Sequence, residues 1–245
     1  MRIPVYYLIS MVLIASACQQ KNKTLEPKDE PRLADLRVPE GFKISFFASD
    51  VENARSLALG DKGTVFVGSR KAKNVLALVD ADHDGVAEKK YTVAENLNSP
   101  NGVAFHNGAL FIAEISKIWR IDNIESSLEH PAKPVLVFDG LPSETQHGWK
   151  YIAFGPDGKL YVPVGAPCNI CNDSEKDPRF ASITRMNPDG TGFEVYASGI
   201  RNTVGMTWHP QSKELWFTDN GRDQLGDDIP PDELNIAVKK GEHFG

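Results

Sequence analysis

Four stretches of the chain repeat one alternation of apolar and polar positions: SLALGDKGTVFVGS, GVAFHNGALFIAE, YIAFGPDGKLYVPV and GMTWHPQSKELWFTD. Each reads as a short apolar strand, a polar turn and a second strand with period-two patterning, which is the pattern of a hairpin. The turns at DKG, HNG and PDG supply residues that tolerate a positive φ. The equivalent positions Val65, Leu110, Leu160 and Leu215 stand 45, 50 and 55 residues apart. Further strands fall between the hairpins at KYTVAENL, PVLVFDGL and FEVYASGI, with KISFFASDV as an earlier copy. No amphipathic helix of convincing length interrupts the series, and IDNIESSLEH offers at best one short helical turn.

Strand-rich units at this interval predict an all-β fold, a β-propeller. Each unit forms a four-stranded blade that buries both faces by stacking on its neighbours. A β-sandwich would also supply many strands, but it has no reason to repeat at this interval. Residues 40–245 hold about four units. Propellers close with four to eight blades, and the sequence reaches KKGEHFG with no closing strand. The expectation is therefore a partial propeller from a chain cut short, rather than a complete four-bladed ring.

The beginning of the chain departs from this pattern. MRIPVYYLISMVLIASAC has a positive start at Arg2, an apolar stretch and small residues before Cys18. That arrangement predicts a signal peptide over residues 1–17, too short for a comfortable membrane span. The ending ASAC resembles the lipobox of bacterial lipoproteins, in which the Cys is lipidated and becomes the new N-terminus. The alternative is an ordinary signal peptide with Cys18 in the discarded piece. Residues 18–39 are polar and charged and read as a flexible tether. The expected location is the bacterial cell envelope, with a lipid anchor at Cys18 in the outer membrane or exposure in the periplasm. Gln19 is not the Asp that favours inner-membrane retention.

Composition adds limits. The chain has 245 residues, 41% of them hydrophobic and 24% charged, with a net charge of −6. No long Lys/Arg run occurs, so nucleic acid is not an expected partner. Beyond Cys18 only Cys168 and Cys171 remain, in CNICN. In an oxidising compartment a local disulfide is the expected state. A redox CxxC lacks the helical context, and zinc would need a second ligand pair.

Candidate chemistry follows from the connections that lead into each blade's inner strand. ENARS, NSPNG, PSETQHG and IRNTVG bring Arg55, Asn101, His147, Arg201 and Asn202 toward one mouth of the channel. His147 stands at the entrance of an inner strand, and Gly148 lets the backbone pass closely. A His there can take a proton near neutral pH. An Arg on the next connection offers a fixed charge and a planar fork of donors. A purely structural hydrogen bond from His147 to a neighbouring loop is the alternative.

HGWKYIAFGPDGKLYV, SGIRNTVGMTWHP and TDNGRDQLGDDIPPDELN, in that order, resemble the soluble PQQ-dependent sugar dehydrogenases, particularly their sorbosone dehydrogenase-like branch. The resemblance spans about residues 39–245. It implies a six-bladed propeller with pyrroloquinoline quinone (PQQ) on the channel face. It also implies oxidation of an aldose or sugar aldehyde and an external electron acceptor. In that family a His general base takes the proton of the C1 hydroxyl while hydride passes to the quinone. The resemblance puts that role on His147. It puts stabilisation of negative charge on the reduced quinone on Arg201, matches Asn202 to a cofactor contact, and matches Asp232 in DELN to the Asp of the family's D-E-hydrophobic-N segment, among the catalytic residues. A Gly-Pro pair that gives backbone carbonyls to Ca2+ corresponds here to Gly221 and Arg222, and a backbone ligand does not demand Pro. The Gln of the glucose-oxidising members corresponds to Val204, and DQLGDDIPP lengthens the loop before DELN. The basic residues that hold the PQQ carboxylates in the family would lie beyond Gly245.

Asp80, Asp82 and Asp84 in DADHDGVAE have calcium-loop spacing, but position twelve is Tyr91, so a solvated turn is expected. Asp223, Asp227 and Asp228 read as an acidic surface loop. Two other function classes remain open from the sequence: a calcium-dependent propeller hydrolase of the lactonase kind, and a non-catalytic cell-surface binding module.

Overall fold

The structure is a computed structural model and describes residue 33, residues 35–171 and residues 173–245. The expected signal peptide, Cys18 and most of the tether lie outside the described residues.

Blade 1 consists of β1 (Ala54–Leu59), β2 (Val65–Ser69), β3 (Val75–Val79) and β4 (Lys89–Ala94). Blade 2 consists of β5 (Gly102–His106), β6 (Ala109–Ala113), β7 (Ile118–Ile121) and β8 (Val135–Phe138). Blade 3 contains β9 (Ala153–Phe154), β10 (Leu160–Val164), β11 (Ser182–Met186) and β12 (Glu194–Ser198). Blade 4 contains β13 (Met206–Trp208), β14 (Leu215–Asp219) and β15 (Glu233–Ala237). Within every blade the strands are antiparallel and lie in chain order. A final short strand, β16 (Glu242–His243), turns back and pairs in parallel with β12.

The period-two pattern explains the stacking, because alternate side chains of a strand point to opposite faces. In β6, Leu110 and Ile112 pack toward blade 1 against Phe66, Val75 and Ala77. Their neighbours Phe111 and Ala113 pack the other way, against Leu160 and Val162 of blade 3. In β10, Tyr161 points away from that core and meets Met206, Leu215 and Phe217 of blade 4. The result is three apolar cores between consecutive blades. This confirms the propeller arrangement and the four units read from the repeat. β5 lies beside both β1 and β9, as inner strands around an axis do.

Two details differ from the expected pattern or extend it. KISFFASDV forms no strand. Phe47, Ala48 and Val51 instead cover Val67, Leu76 and Leu78 on the outer face of blade 1. A segment laid across a sheet face has no edge to pair with, so its backbone does not enter a ladder. Ile124–Ser126 forms one 3-10 turn, in keeping with the short helical turn expected there. On blade 4, Trp216 pairs with Ile236 and Thr218 with Leu234, on the face opposite Phe217. Leu234 and Ile236 are exposed there.

Candidate functional site

Antiparallel order sends the connections 95–101, 139–152 and 199–205 to one end of the blades. The loops between second and third strands, 70–74, 114–117, 165–181 and 220–232, emerge at that same end. Asn101, His147, Arg201, Asn202, Gly221, Arg222 and Asp232 lie on these segments, and Arg55 lies at the start of β1, at the same end.

His147 is buried and holds φ at 50°. A non-glycine residue pays strain in this left-handed region, and such residues gather at functional sites. Its Nδ1 lies 2.7 Å from the carbonyl oxygen of Ala166. A carbonyl only accepts, so Nδ1 carries the hydrogen, and in the neutral ring Nε2 keeps its lone pair. Nε2 takes no hydrogen bond among the described residues.

Gly165 lets His147 and Asn202 come together. A Cβ at position 165 would fall 2.6 Å from His147 Cβ and 3.0 Å from Asn202 Oδ1. The Ala166 N–H donates to Arg201 O at 2.8 Å, which ties blade 3's inner loop to the entrance of blade 4.

Asp219, at the end of β14, fixes that entrance. Its carboxylate accepts from Arg201 N at 2.9 Å and from Asn202 N at 2.7 Å. Burial pushes the Asp219 pKa up, and the two N–H donors oppose the shift. The Arg201 guanidinium is occupied on several sides. It donates to Asn169 Oδ1 at 2.8 Å, to Asn169 O at 3.2 Å and to Asn220 O at 2.9 Å, with Asp223 farther away at 3.4 Å. Asn202 is 7% exposed, yet its side-chain amide takes no hydrogen bond among the described residues. The buried Thr203 Oγ1 likewise has no partner. Buried polar groups are normally paired, so the orphaned Thr203 hydroxyl beside the open Asn202 amide marks a place for a ligand's polar atoms.

Gly221 N donates to Asp232 Oδ1 at 2.8 Å, so these two expected residues do meet. The carbonyls of Gly221 and Arg222 accept no hydrogen bond among the described residues and are available to a cation. Arg222 and Arg201 line one cleft of about 770 Å³ together with Ala166, Asn169 and Cys171. Cys168 and Cys171 are joined as a disulfide, which closes the tip of loop 165–181 beside that cleft.

On the other side of His147, Arg55 Nε donates to Asn101 Oδ1 at 3.2 Å. Asn101 in turn donates to Lys150 O at 2.7 Å. Lys150 is almost wholly buried, and its Nζ donates to Gly148 O at 2.6 Å. Burial lowers its pKa to about 8, against an opposing pull from Glu144.

Asn169, Asp219 and Lys150 were not singled out by sequence reasoning. Asn169 and Asp219 act on Arg201 and Asn202 from segments remote in the chain, and no local motif marks them. Lys150 was hidden in an ordinary strand entrance. Asp80, Asp82, Asp84 and Glu88 come within 4.8 Å of one another in ligand-atom terms, on a β3–β4 turn at the opposite end. Their carboxylates accept backbone N–H groups of that same turn, from Gly85, Asp84, Val86 and Ala81.

The four blades stack as a β-propeller, with a buried His and an unpaired amide and hydroxyl at the end where the inner connections meet. Solved structures agree on this class. The PQQ-bound aldose sugar dehydrogenase of Streptomyces coelicolor is 25% identical, with a TM-score of 0.63 over 82% of this chain and 64% of that one. Residues 28–240 match the family model described as a domain of unknown function, DUF7133, and the chain belongs to that family. An uncharacterised protein of Borreliella burgdorferi is 30% identical over 98% of this chain and 60% of its own length. Quinoprotein glucose dehydrogenase B of Acinetobacter calcoaceticus is 23% identical over 83% of this chain and 52% of its own length. The chain thus spans little more than half the length of these two relatives.

Proposed function

We propose that this protein is a PQQ-dependent oxidoreductase acting on an aldose or a related sugar aldehyde. The observation that carries the reading is His147, held in a strained conformation by Ala166 with Nε2 left as an acceptor. The likeness to a PQQ-bound aldose sugar dehydrogenase and to a quinoprotein glucose dehydrogenase supports it.

The residues present fit such a cofactor. Thr203 offers a buried unpaired hydroxyl and Asn202 an unpaired amide, and the Gly221 and Arg222 carbonyls offer oxygen ligands to Ca2+. When bound, the quinone supplies a hydride acceptor. His147 Nε2 takes the proton of the sugar's C1 hydroxyl as general base. Arg201 places fixed positive charge beside Asn202 and stabilises developing anionic charge. Asn169 and Asn220 keep its guanidinium from turning away. Asp232 orders the loop at Gly221.

Three wider readings belong to the same proposal. The chain is an exported lipoprotein, with a signal peptide over residues 1–17 and a tether over 18–39 anchored at Cys18. Its electrons pass to an external acceptor. The four blades belong to a larger ring, which the apolar outward face of blade 4 supports.

The test adds PQQ and Ca2+ to the purified protein with the blades that complete its ring restored. Bound quinone is followed by absorbance, and dye reduction is measured with a panel of aldoses beside His147→Ala. Sugar-dependent reduction that needs PQQ and collapses in the variant is the expected result. Absence of PQQ binding would overturn the reading, and hydrolysis of a lactone with Ca2+ alone would replace it with a hydrolase.

A further inference from the structure

A pair of arginines at the mouth has no acidic partner among the described residues. Ala54 and Ser69 face each other where β1 begins and β2 ends; Arg55 is the next residue within β1, and Arg70 is the first residue of the loop after β2. The Arg70 guanidinium carbon lies over the Trp149 ring, 3.8 Å from its centre. Trp149 is two residues from His147. Arg55 is held through Nε by Asn101, which is buried and fixed in turn by Lys150 O. The backbone before Arg70 and Lys71 is also set, because both N–H groups donate to Asn53 Oδ1, at 3.1 and 2.6 Å.

The two charges act on one another. Burial lowers the Arg70 pKa, and the Arg55 charge lowers it further. Neither guanidinium meets a carboxylate among the described residues, whereas Arg120, Arg179 and Arg185 elsewhere are each paired with one. Glu144 is the carboxylate whose charge reaches this region, and it acts on Lys150. Two cationic side chains from adjacent strand ends, one over an aromatic ring and one held by a buried amide, offer donors suited to a planar oxyanion.

We propose that Arg55 and Arg70 form a subsite for a carboxylate on the molecule seated at the mouth. The inference deepens the dehydrogenase reading and rests on it for the site's purpose. A sugar acid such as a uronate carries that group, and so does a carboxylated quinone. In the first case the substrate class narrows to acidic sugars, with the sugar's reacting end toward His147 and its carboxylate toward Arg70. In the second the arginines hold the cofactor from blade 1.

Binding to the protein with its ring complete tests this without turnover. D-glucuronate and D-glucose are titrated by calorimetry and by Trp fluorescence, without PQQ, and PQQ is then titrated alone. The comparison uses wild type, Arg55→Gln and Arg70→Gln, with circular dichroism to confirm folding. Both replaced residues are at least partly exposed, and Gln keeps hydrogen-bonding capacity.

A substrate-borne carboxylate predicts that glucuronate binds at least about tenfold tighter than glucose, and that both variants erase the difference. A cofactor-borne carboxylate predicts that the variants weaken PQQ by about tenfold and leave the sugars alike. Unchanged affinity for both anions in both variants overturns the subsite. Glucuronate binding lost in the variants, with PQQ failing to bind at all, keeps the subsite and removes the dehydrogenase reading.

Discussion

The His147 ring donates to Ala166 O, and Ala166 N–H donates to Arg201 O, so the two expected reactive side chains share one backbone residue between them. His147 is thereby fixed in tautomer as well as in position. Replacing it with Gln keeps polarity but removes a basic ring nitrogen. Turnover with aldose should fall by about 10²–10⁴-fold while bound PQQ is retained. Steady-state rates on the PQQ-loaded protein decide this, and a rate within a few-fold of wild type would assign His147 a structural role.

Gly165 should not accept a methyl group. The Cβ of Gly165→Ala would sit against His147 Cβ and Asn202 Oδ1, closer than atoms pack. Overpacking of this kind costs about 1–3 kcal/mol. Urea unfolding should show that loss, and His147→Gly in the same background should relieve part of it.

Asp219→Ala should loosen the Arg201–Asn202 entrance without touching a ligand. Two backbone N–H groups lose their acceptor, one of them buried, at a cost of about 1–3 kcal/mol. Affinity for PQQ should fall along with stability. A variant that binds PQQ as wild type does would separate Asn202 from the cofactor.

Lys150 gives a pH signature. Its folded pKa is about 8 against an ordinary value of 10.5. Between those values the unfolded chain binds more protons, so stability rises with pH across the window. The gain is on the order of 3 kcal/mol at most. Lys150→Met should abolish the rise, as measured by denaturant unfolding at pH 7 and pH 10.

Much of the fold was legible because the second strands of blades 1 to 3 are buried on both faces and carry a recurring apolar pattern. Leu110 with Ile112 and Phe111 with Ala113 repeat in the hairpin pattern that sequence alone displays. KISFFASDV carried the same pattern but covers a face instead of joining an edge, a choice made by tertiary context. At the mouth, His147, Arg201 and Asn202 were visible because they stand at strand entrances. Asn169, Asp219 and Trp149 with Arg70 were not, because their roles arise where loops from different blades meet. The unpaired amide of Asn202 is likewise a property of its surroundings, which no local motif encodes.

The bond series from His147 through Ala166 and Arg201 to Asp219 crosses the seam between blades 3 and 4. A guest that rests on both His147 and Asn202 would rivet that seam. The Ala166 amide lies at its centre and needs no label. Its exchange with deuterium should slow when the mouth is filled, which makes this single hydrogen a gauge of occupancy independent of any reaction.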